Sequence, residues 1–172
     1  MHSVKREFNC IAFSQNEERF LFAGTTSADF IIIDHKNKCM HASISIGSLG
    51  VLQIISLSPE TILVGCGDGL LGKYTFDSKH WSLSSQLNIK QKITSLSVAK
   101  KEVLVCTSLT QSLIVNTQTF QPFLLQESHN NKIGFVRFKD GDNNLFGVAS
   151  EDSTIRLWDV KSRTVKCRHA II

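Results

Sequence analysis

The strongest structural signal in the chain is Ala149-Ser150-Glu151-Asp152-Ser153-Thr154-Ile155-Arg156-Leu157-Trp158-Asp159. Two largely apolar segments flank a short polar turn, and the second segment ends in Trp158-Asp159. Alternating apolar and polar residues on either side of such a turn predict two antiparallel β-strands.

The same pattern recurs upstream at a nearly constant interval. Its turn position is occupied in the four copies by Ser27, Asp68, Thr110 and Asp152, which are 41, 42 and 42 residues apart. Six residues later, the earlier copies carry Ile33, Tyr74 and Asn116 in place of Trp158. A period of this length indicates a repeat architecture in which each copy supplies one four-stranded sheet.

The last copy resembles the end of a WD repeat, the unit that folds as one blade of a β-propeller. We therefore predict an all-β fold of about four WD-repeat propeller blades, because no segment keeps apolar residues at helical spacing. The predicted domain covers residues 1–172, with repeats at approximately 8–46, 50–89, 92–126 and 129–172. Outer strands are expected at residues 42–46, 83–89, 122–125 and 165–171.

The length suggests an incomplete ring. Propellers commonly close with about seven blades of this size, and an open stack leaves two bare sheet faces. We expect the chain to be part of a longer propeller, or to be completed by further blades from the same or another chain.

The composition is that of a soluble intracellular protein. Charged residues are 20% of the chain, hydrophobic residues are 42%, and no apolar run approaches the length of a membrane span. The five cysteines (Cys10, Cys39, Cys66, Cys106 and Cys167) are odd in number and scattered, so free thiols in a reducing compartment are expected. Cytoplasm or cytoskeleton is the predicted location, without a cofactor or a membrane partner.

Four residues form the main candidate site. His129, Ser150 and Asp152 are the residue types of a hydrolase triad, but together with Trp158 they match the hydrogen-bonded tetrad of a WD blade. In that arrangement the histidine bonds the turn aspartate, and the serine and the indole N–H complete a buried network. Because no GxSxG motif accompanies them, a structural tetrad is predicted and an enzyme is not; catalysis by these residues is the alternative.

Two further clusters invite a binding interpretation. The run Gly65-Cys66-Gly67-Asp68-Gly69 lacks the Lys-Ser/Thr pair and the helix of a phosphate loop, so a tight turn is predicted. His35, Cys39 and His41 lack the second ligand pair of a zinc site, so an exposed loop is expected rather than a metal site.

The last repeat is rich in basic residues. It contains Lys132, Arg137, Lys139, Arg156, Lys161, Arg163, Lys166 and Arg168 against Asp140, Asp142, Glu151, Asp152 and Asp159. This excess favours either an acidic partner or a solvated surface of mixed charge. Nucleic acid is not expected, because basic residues do not alternate with exposed aromatic residues as in a stacking platform.

A more specific resemblance rests on the order of several motifs. They are Phe22-Ala23-Gly24-Thr25-Thr26-Ser27-Ala28-Asp29, Ile54-Ile55-Ser56-Leu57, Ile62-Leu63-Val64-Gly65-Cys66-Gly67-Asp68-Gly69-Leu70-Leu71, Ile93-Thr94-Ser95-Leu96, Asn144-Leu145-Phe146-Gly147-Val148-Ala149-Ser150 and Ile155-Arg156-Leu157-Trp158. In this order they resemble a family of ciliary WD-repeat proteins that have two propellers. The similarity covers most of the chain, although the family's proteins carry many more blades.

The resemblance implies a non-catalytic structural protein of the cilium or flagellum. Such a protein lies on the inner wall of axonemal doublet microtubules, where it contacts tubulin and neighbouring axonemal proteins. No contact residue is transferred, because the matched motifs consist of core and turn positions. The alternative is a general WD-repeat adaptor for complex assembly, such as a ubiquitin-ligase substrate receptor. For that role, Trp158-Asp159-Val160-Lys161 resembles the docking box of cullin adaptors, with lysine in place of its arginine.

Overall fold

The computed structural model describes residues 6–16, 19–125 and 129–170, and these contain β-strands and no helix. The chain forms two compact units, residues 1–90 and 91–172, each of which holds two sheets. Residues 1–5, 17, 18, 126–128, 171 and 172, which belong to the predicted domain, lie outside the described residues. One domain over 1–172 therefore stays a prediction.

Unit one contains blades 1 and 2, which are four-stranded antiparallel sheets with their strands in sequence order. Blade 1 consists of β1 (Phe8–Phe13), β2 (Phe20–Thr25), β3 (Asp29–Asp34) and β4 (Cys39–Ser45). Blade 2 consists of β5 (Val51–Ser58), β6 (Thr61–Cys66), β7 (Leu70–Phe76) and β8 (Trp81–Asn88). Each strand pairs only with its neighbour in the chain, as short hairpin connections require.

Unit two contains blades 3 and 4, with the same order and direction of strands. Blade 3 consists of β9 (Ile93–Ala99), β10 (Glu102–Thr107), β11 (Ser112–Asn116) and β12 (Pro122–Leu124). Blade 4 consists of β13 (Ile133–Lys139), β14 (Asp142–Ser150), β15 (Thr154–Asp159) and β16 (Thr164–Ala170). All sixteen predicted strands are present, so the all-β prediction is confirmed.

The largest boundary errors concern β4, whose predicted start is residue 42, and β14, whose predicted start is Leu145; each begins three residues earlier. β4 includes exposed Cys39 and Met40, and β14 begins at Asp142 directly after a two-residue turn. Backbone pairing continues there without apolar side chains, which are the only signal the sequence offers for a strand.

The strand pairings define equivalent positions in the four blades. Each turn between the second and third strands is centred midway between the paired residues Gly24↔Phe30, Gly65↔Leu71, Cys106↔Ser112 and Ala149↔Ile155. The centres are Ser27, Asp68, Leu109 and Asp152, so the predicted position Thr110 is wrong by one residue. Consequently buried Val115, not Asn116, corresponds to Trp158. The apolar residue takes the inner position, and Asn116 accepts the backbone N–H groups of Gln118 and Thr119 in the following turn.

Unit one has an aromatic core between its two sheets. Phe20 is at its centre, and its ring lies 5.0 Å from Phe76, 5.4 Å from His41 and 5.6 Å from Trp81. The edge-to-face angles of these pairs are those that aromatic quadrupoles favour. The core of unit two is mainly aliphatic, with one parallel stack of Phe146 on Trp158 at 6.0 Å.

Blade 1 and blade 4 bury opposite faces of their sheets. In β3 the buried side chains include Phe30 and Ile32, whereas in β15 the corresponding Ile155 is 40% exposed and Trp158 is buried. Each sheet buries the face that packs against the other sheet of its own unit. No helix among the described residues is long and apolar enough to cross a bilayer.

Candidate functional site

His129 and Asp152 meet in the loops at one end of blade 4. His129 precedes β13 and is 2% exposed, and its Nδ1 atom lies 3.1 Å from the Oδ2 atom of Asp152 in the β14–β15 turn. Asp152 also accepts backbone N–H groups, from Asn130 at 3.0 Å and from Thr154 at 3.0 Å. The carboxylate therefore ties the loop before β13 to the β14–β15 turn.

Thr154 completes this network, and sequence reasoning missed it. Its hydroxyl lies 3.2 Å from His129 Nδ1 and 2.5 Å from Asp152 Oδ1, and the residue is buried. The sequence signal that could have identified Thr154 is a hydroxyl residue two positions after the turn aspartate. At that position the turn directs the side chain back toward the carboxylate.

Ser150 and Trp158 have other surroundings. The Ser150 hydroxyl lies 3.1 and 3.0 Å from the carbonyl oxygens of Asn131 and Lys132, and it accepts the Asp152 N–H at 3.1 Å. Trp158 packs flat on Phe146 in the core. The structure thus brings His129 and Asp152 into contact and places Ser150 beside them, while the complete tetrad stays a prediction.

Electrostatics keep this network in one protonation state at neutral pH. Burial opposes ionisation of Asp152, but hydrogen bonds from Thr154, the Asn130 N–H and His129 outweigh it, and the pKa of the carboxyl falls below its usual value. Burial lowers the pKa of His129 more than Asp152 raises it, and nearby Arg156 adds repulsion. Nε2 of His129 is buried without a hydrogen-bond partner among the described residues. A general base needs access to its substrate, which this enclosed imidazole lacks.

The histidine–cysteine group and the glycine run, the two weaker candidate sites, have surroundings that are explained by the fold. His35 lies in an exposed turn, as expected. Cys39 and His41 both lie in β4, so the loop interpretation is wrong for these two residues; Cys39 is exposed, and His41 packs against Phe20 and Phe76. The described residues contain no group of three or more potential metal ligands. In the glycine run, Gly69 has a φ of 87°, which favours glycine. A Cβ on Gly67 would lie 2.4 Å from the Leu49 carbonyl oxygen, so the turn requires glycine at that position too.

Asp159, in the box that resembles a cullin-docking motif, organises the β15–β16 turn. Its Oδ1 accepts the Ser162 N–H at 2.9 Å, its Oδ2 lies 3.0 Å from Lys166 Nζ, and its carbonyl accepts the Arg163 N–H. The Ser162 hydrogen bond and the Lys166 ammonium lower the pKa of Asp159 to about 2. The turn is therefore rigid, and it presents Lys161 and Arg163 to solvent.

Unit two has a cavity of about 660 Å³ between its two sheets, at the end where the first strand of each blade turns into the second. We call it the unit-two cavity. Its lining is Ala99, Lys100, Lys101, Glu102, Asn116, Gly141, Asp142, Asn143, Asn144, Val160, Lys161 and Arg163. Four cations and two carboxylates thus surround a space large enough for a small ligand or a peptide segment.

Unit one has a crevice at the equivalent place, but it measures only about 110 Å³. We call it the unit-one crevice. The Arg19 guanidinium lies 4.7 Å from the Phe20 ring centre and 5.6 Å from that of Phe76, and its Nε bonds Asp34 at 3.2 Å. By the strand register, Lys101, Glu102 and Val160 of unit two replace Arg19, Phe20 and Phe76. Two aromatic rings are lost, and the space they fill in unit one is open in unit two.

Comparisons with known proteins extend this picture. No protein-family model matches the chain. Cilia- and flagella-associated protein 52 of Bos taurus is 26% identical over 148 residues, covering 83% of this chain and 23% of that protein. A chain from the crystal structure of a mitotic checkpoint complex superimposes with a TM-score of 0.84 at 13% identity, covering 96% of this chain and 53% of that chain. The chain spans about a quarter of the curated relative and about half of the solved chain, and its fold is that of WD-repeat propeller blades.

Proposed function

We propose that this chain is a non-catalytic scaffold of the cilium or flagellum, located in the axoneme on the inner wall of doublet microtubules. The observation that carries the proposal is the similarity to cilia- and flagella-associated protein 52, which extends over 83% of the chain. Tubulin and neighbouring axonemal proteins are the proposed partners. Propeller blades are rigid platforms, so binding by their loops costs little ordering entropy.

The sheet faces that point away from each unit's core support a scaffold. Ile11, Phe13 and Met40 are 51 to 65% exposed on blade 1, and Phe135 is 56% exposed on blade 4. Large apolar side chains left in solvent each forgo roughly 1.5–3 kcal/mol of burial free energy. Further blades or partner proteins covering these faces would recover it.

Fractionation of axonemes tests the ciliary role. An epitope-tagged chain expressed in ciliated cells should remain with doublet microtubules after a high-salt wash, because inner-wall proteins are enclosed by the lattice. Tagged tubulin and a soluble cytoplasmic protein provide the two reference fractions. Complete release of the chain into the salt wash would contradict the proposal.

The non-catalytic part has its own test in His129. Because the imidazole holds Asp152 and Thr154 in a buried network, His129→Ala should lower the free energy of unfolding by about 1–3 kcal/mol. Retention of the wild-type stability, together with loss of a measurable turnover, would favour the catalytic alternative.

A soluble adaptor for complex assembly is the second candidate. The exposed turn that follows Trp158-Asp159 favours it, whereas Lys161 in place of the arginine of the cullin-docking box counts against it, because an ammonium does not make the bidentate contacts of a guanidinium. A ubiquitin-ligase substrate receptor is one such adaptor. Affinity purification from cytosol would then recover a stoichiometric soluble partner, and Lys161→Ala would weaken that recovery. Recovery of tubulin alone would exclude this candidate.

A further inference from the structure

We infer that the unit-two cavity binds an acidic peptide segment of a partner protein. The inference rests on the proposed protein-binding role and adds to it a place on the fold and a class of ligand. The cavity is formed by residues of one compact unit, and its lining side chains come from four separate turns or strand ends.

Charge is the first reason. Lys100, Lys101, Lys161 and Arg163 line the cavity against Glu102 and Asp142, and all four cations are exposed. A concave surface with an excess of one charge concentrates its field in the opening and attracts ligands of the opposite charge. The carboxylates of a glutamate- or aspartate-rich segment are such ligands.

Rigidity is the second reason. The Arg163 guanidinium lies 3.8 Å above the centre of the Phe123 ring, and its backbone N–H is bonded to the Asp159 carbonyl. The Asp142 carboxylate accepts the Asn144 N–H at 2.9 Å, which fixes the opposite rim. Side chains that are already held in place lose little entropy when a ligand binds.

The remaining lining selects a peptide over a nucleic acid. Asn143 and Asn144 present amide groups, which can both donate to and accept from a peptide backbone. The Oδ1 of Asn116 already accepts two backbone N–H groups, so this residue offers its amide N–H groups. No aromatic residue is among those that line the cavity, whereas single-stranded nucleic acids are held by bases stacked on aromatic rings. The charge and polarity of the lining therefore fit an acidic peptide segment.

The turn after β3 in blade 1 supplies a charge-matched control. The turn that follows β3 has the same geometry as the turn after β15: Asp34 accepts the Asn37 N–H as Asp159 accepts the Ser162 N–H, and Lys38 and Arg163 have φ values of 52° and 58°. Lys36 and Lys38 thus correspond to Lys161 and Arg163. They are exposed as well, but neither of them is among the residues that line the unit-one crevice.

The test uses the full chain and a fluorescein-labelled peptide of alternating glutamate and glycine. Fluorescence anisotropy at low and physiological salt should show binding of this peptide, and no binding of the corresponding lysine peptide. Lys101→Glu with Lys161→Glu should weaken binding at least about tenfold, because two attractive charges become repulsive. Lys36→Glu with Lys38→Glu changes the net charge equally and should leave the affinity unchanged. Equal losses in both double variants would overturn the site.

A second variant separates the cavity from general surface charge. Glu102→Phe places in unit two the ring that Phe20 supplies in unit one, and it also removes a negative charge. Filling the cavity should weaken peptide binding, whereas Glu102→Gln should strengthen it by removing repulsion. Stronger binding by Glu102→Phe would show attraction to the surface without entry into the cavity, and would overturn the inference.

Two further outcomes are decisive. Tighter binding of a single-stranded DNA of the same charge than of the peptide would overturn the choice of ligand. In axonemes, a chain with Lys101→Glu and Lys161→Glu that stays with salt-washed doublets but no longer binds the peptide would uphold both proposals separately. A wild-type chain that binds the peptide and is released from doublets would leave the cavity supported and the axonemal role contradicted.

Discussion

The unit-one crevice and the unit-two cavity occupy the same place in two pairs of sheets, yet one is about 110 Å³ and the other about 660 Å³. The backbones agree: Phe76 N–H bonds the Glu60 carbonyl in unit one, and Val160 N–H bonds the Asn144 carbonyl in unit two. The difference comes from side chains at register-equivalent positions. It shows that a repeat can keep its hydrogen-bond ladder while the space between blades changes from a packed core to an open cavity.

The largest expected effect comes from removing the aromatic centre of unit one. Phe20→Ala should lower the free energy of unfolding of that unit by about 3–5 kcal/mol, because it deletes a buried ring that contacts three other aromatic side chains. The equivalent Glu102→Ala in unit two should stay within about 0.5 kcal/mol of the wild type. Trp81 lies in unit one and Trp158 in unit two, so ¹⁹F NMR of fluorotryptophan-labelled protein follows each unit during urea unfolding. Comparable losses in the two variants would contradict the assignment of the two interiors.

Arg19 is the next test of the closed crevice. Arg19→Ala should cost about 1–2 kcal/mol, since it removes two cation–π contacts and the hydrogen-bonded ion pair with buried Asp34. Lys101→Ala, at the equivalent position of unit two, should be nearly neutral. Urea midpoints of both variants give the measurement. A neutral Arg19→Ala would mean that the guanidinium does not hold the crevice closed.

The turn aspartates predict different pH responses in the two units. Asp68 of blade 2 is held by the Ser48 N–H and hydroxyl, whereas Asp152 of blade 4 is held by His129. The pKa of His129 is lower in the folded chain than the usual 6.5, so the unfolded chain binds more protons below that pH and folding loses stability as the pH falls. Unit two should therefore lose stability between pH 7 and 5.5 through this residue.

The control for that response is His129→Gln, which keeps a polar group but cannot titrate. The pH dependence of the Trp158 signal should flatten between pH 7 and 5.5 in this variant, and the Trp81 signal should respond equally in both proteins. An unchanged slope for Trp158 would assign the acid sensitivity of unit two to another group.

The smallest expected effect concerns the rim of the open cavity. Arg163→Ala should destabilise unit two by about 0.5–1 kcal/mol, because the guanidinium stacks on Phe123 in an exposed position. Lys38→Ala, at the corresponding turn position of unit one, should cost less than about 0.5 kcal/mol. A double-mutant cycle with Phe123→Leu isolates the stacking contribution. No coupling between Arg163 and Phe123 would remove the argument for a rigid rim.

The sequence was sufficient for the architecture, because apolar alternation and turn residues at a fixed period determine which segments become strands. It failed by one residue at Thr110, because residues 107–111 contain no Gly or Asp to mark the centre of the turn, and only the pairing Cys106↔Ser112 places that centre at Leu109. That error also hid the equivalence of Phe20 with Glu102. The cavity was therefore not predictable from motifs, since it depends on which side chains are missing between two sheets.

The candidate site was predictable in part for a similar reason. The resemblance to a WD blade suggested that His129 and Asp152 belong together, and their atoms are 3.1 Å apart. Thr154 and Ser150 are both hydroxyl residues two positions from Asp152, on opposite sides of the turn. The direction of each strand at the turn decides which of the two hydroxyl groups reaches the imidazole. No pattern in the sequence reveals that direction.

Each unit contains a buried free cysteine whose reaction with an alkylating reagent can report the opening of that unit. Cys66 in unit one and Cys106 in unit two are fully buried, and burial raises the pKa of each thiol to about 12, whereas Cys39 is exposed. Alkylating reagents require the thiolate, so Cys39 is available in the native chain and the two buried thiols become reactive only when their sheets separate. Mass spectrometry after timed alkylation would consequently read out which half of the molecule opens first.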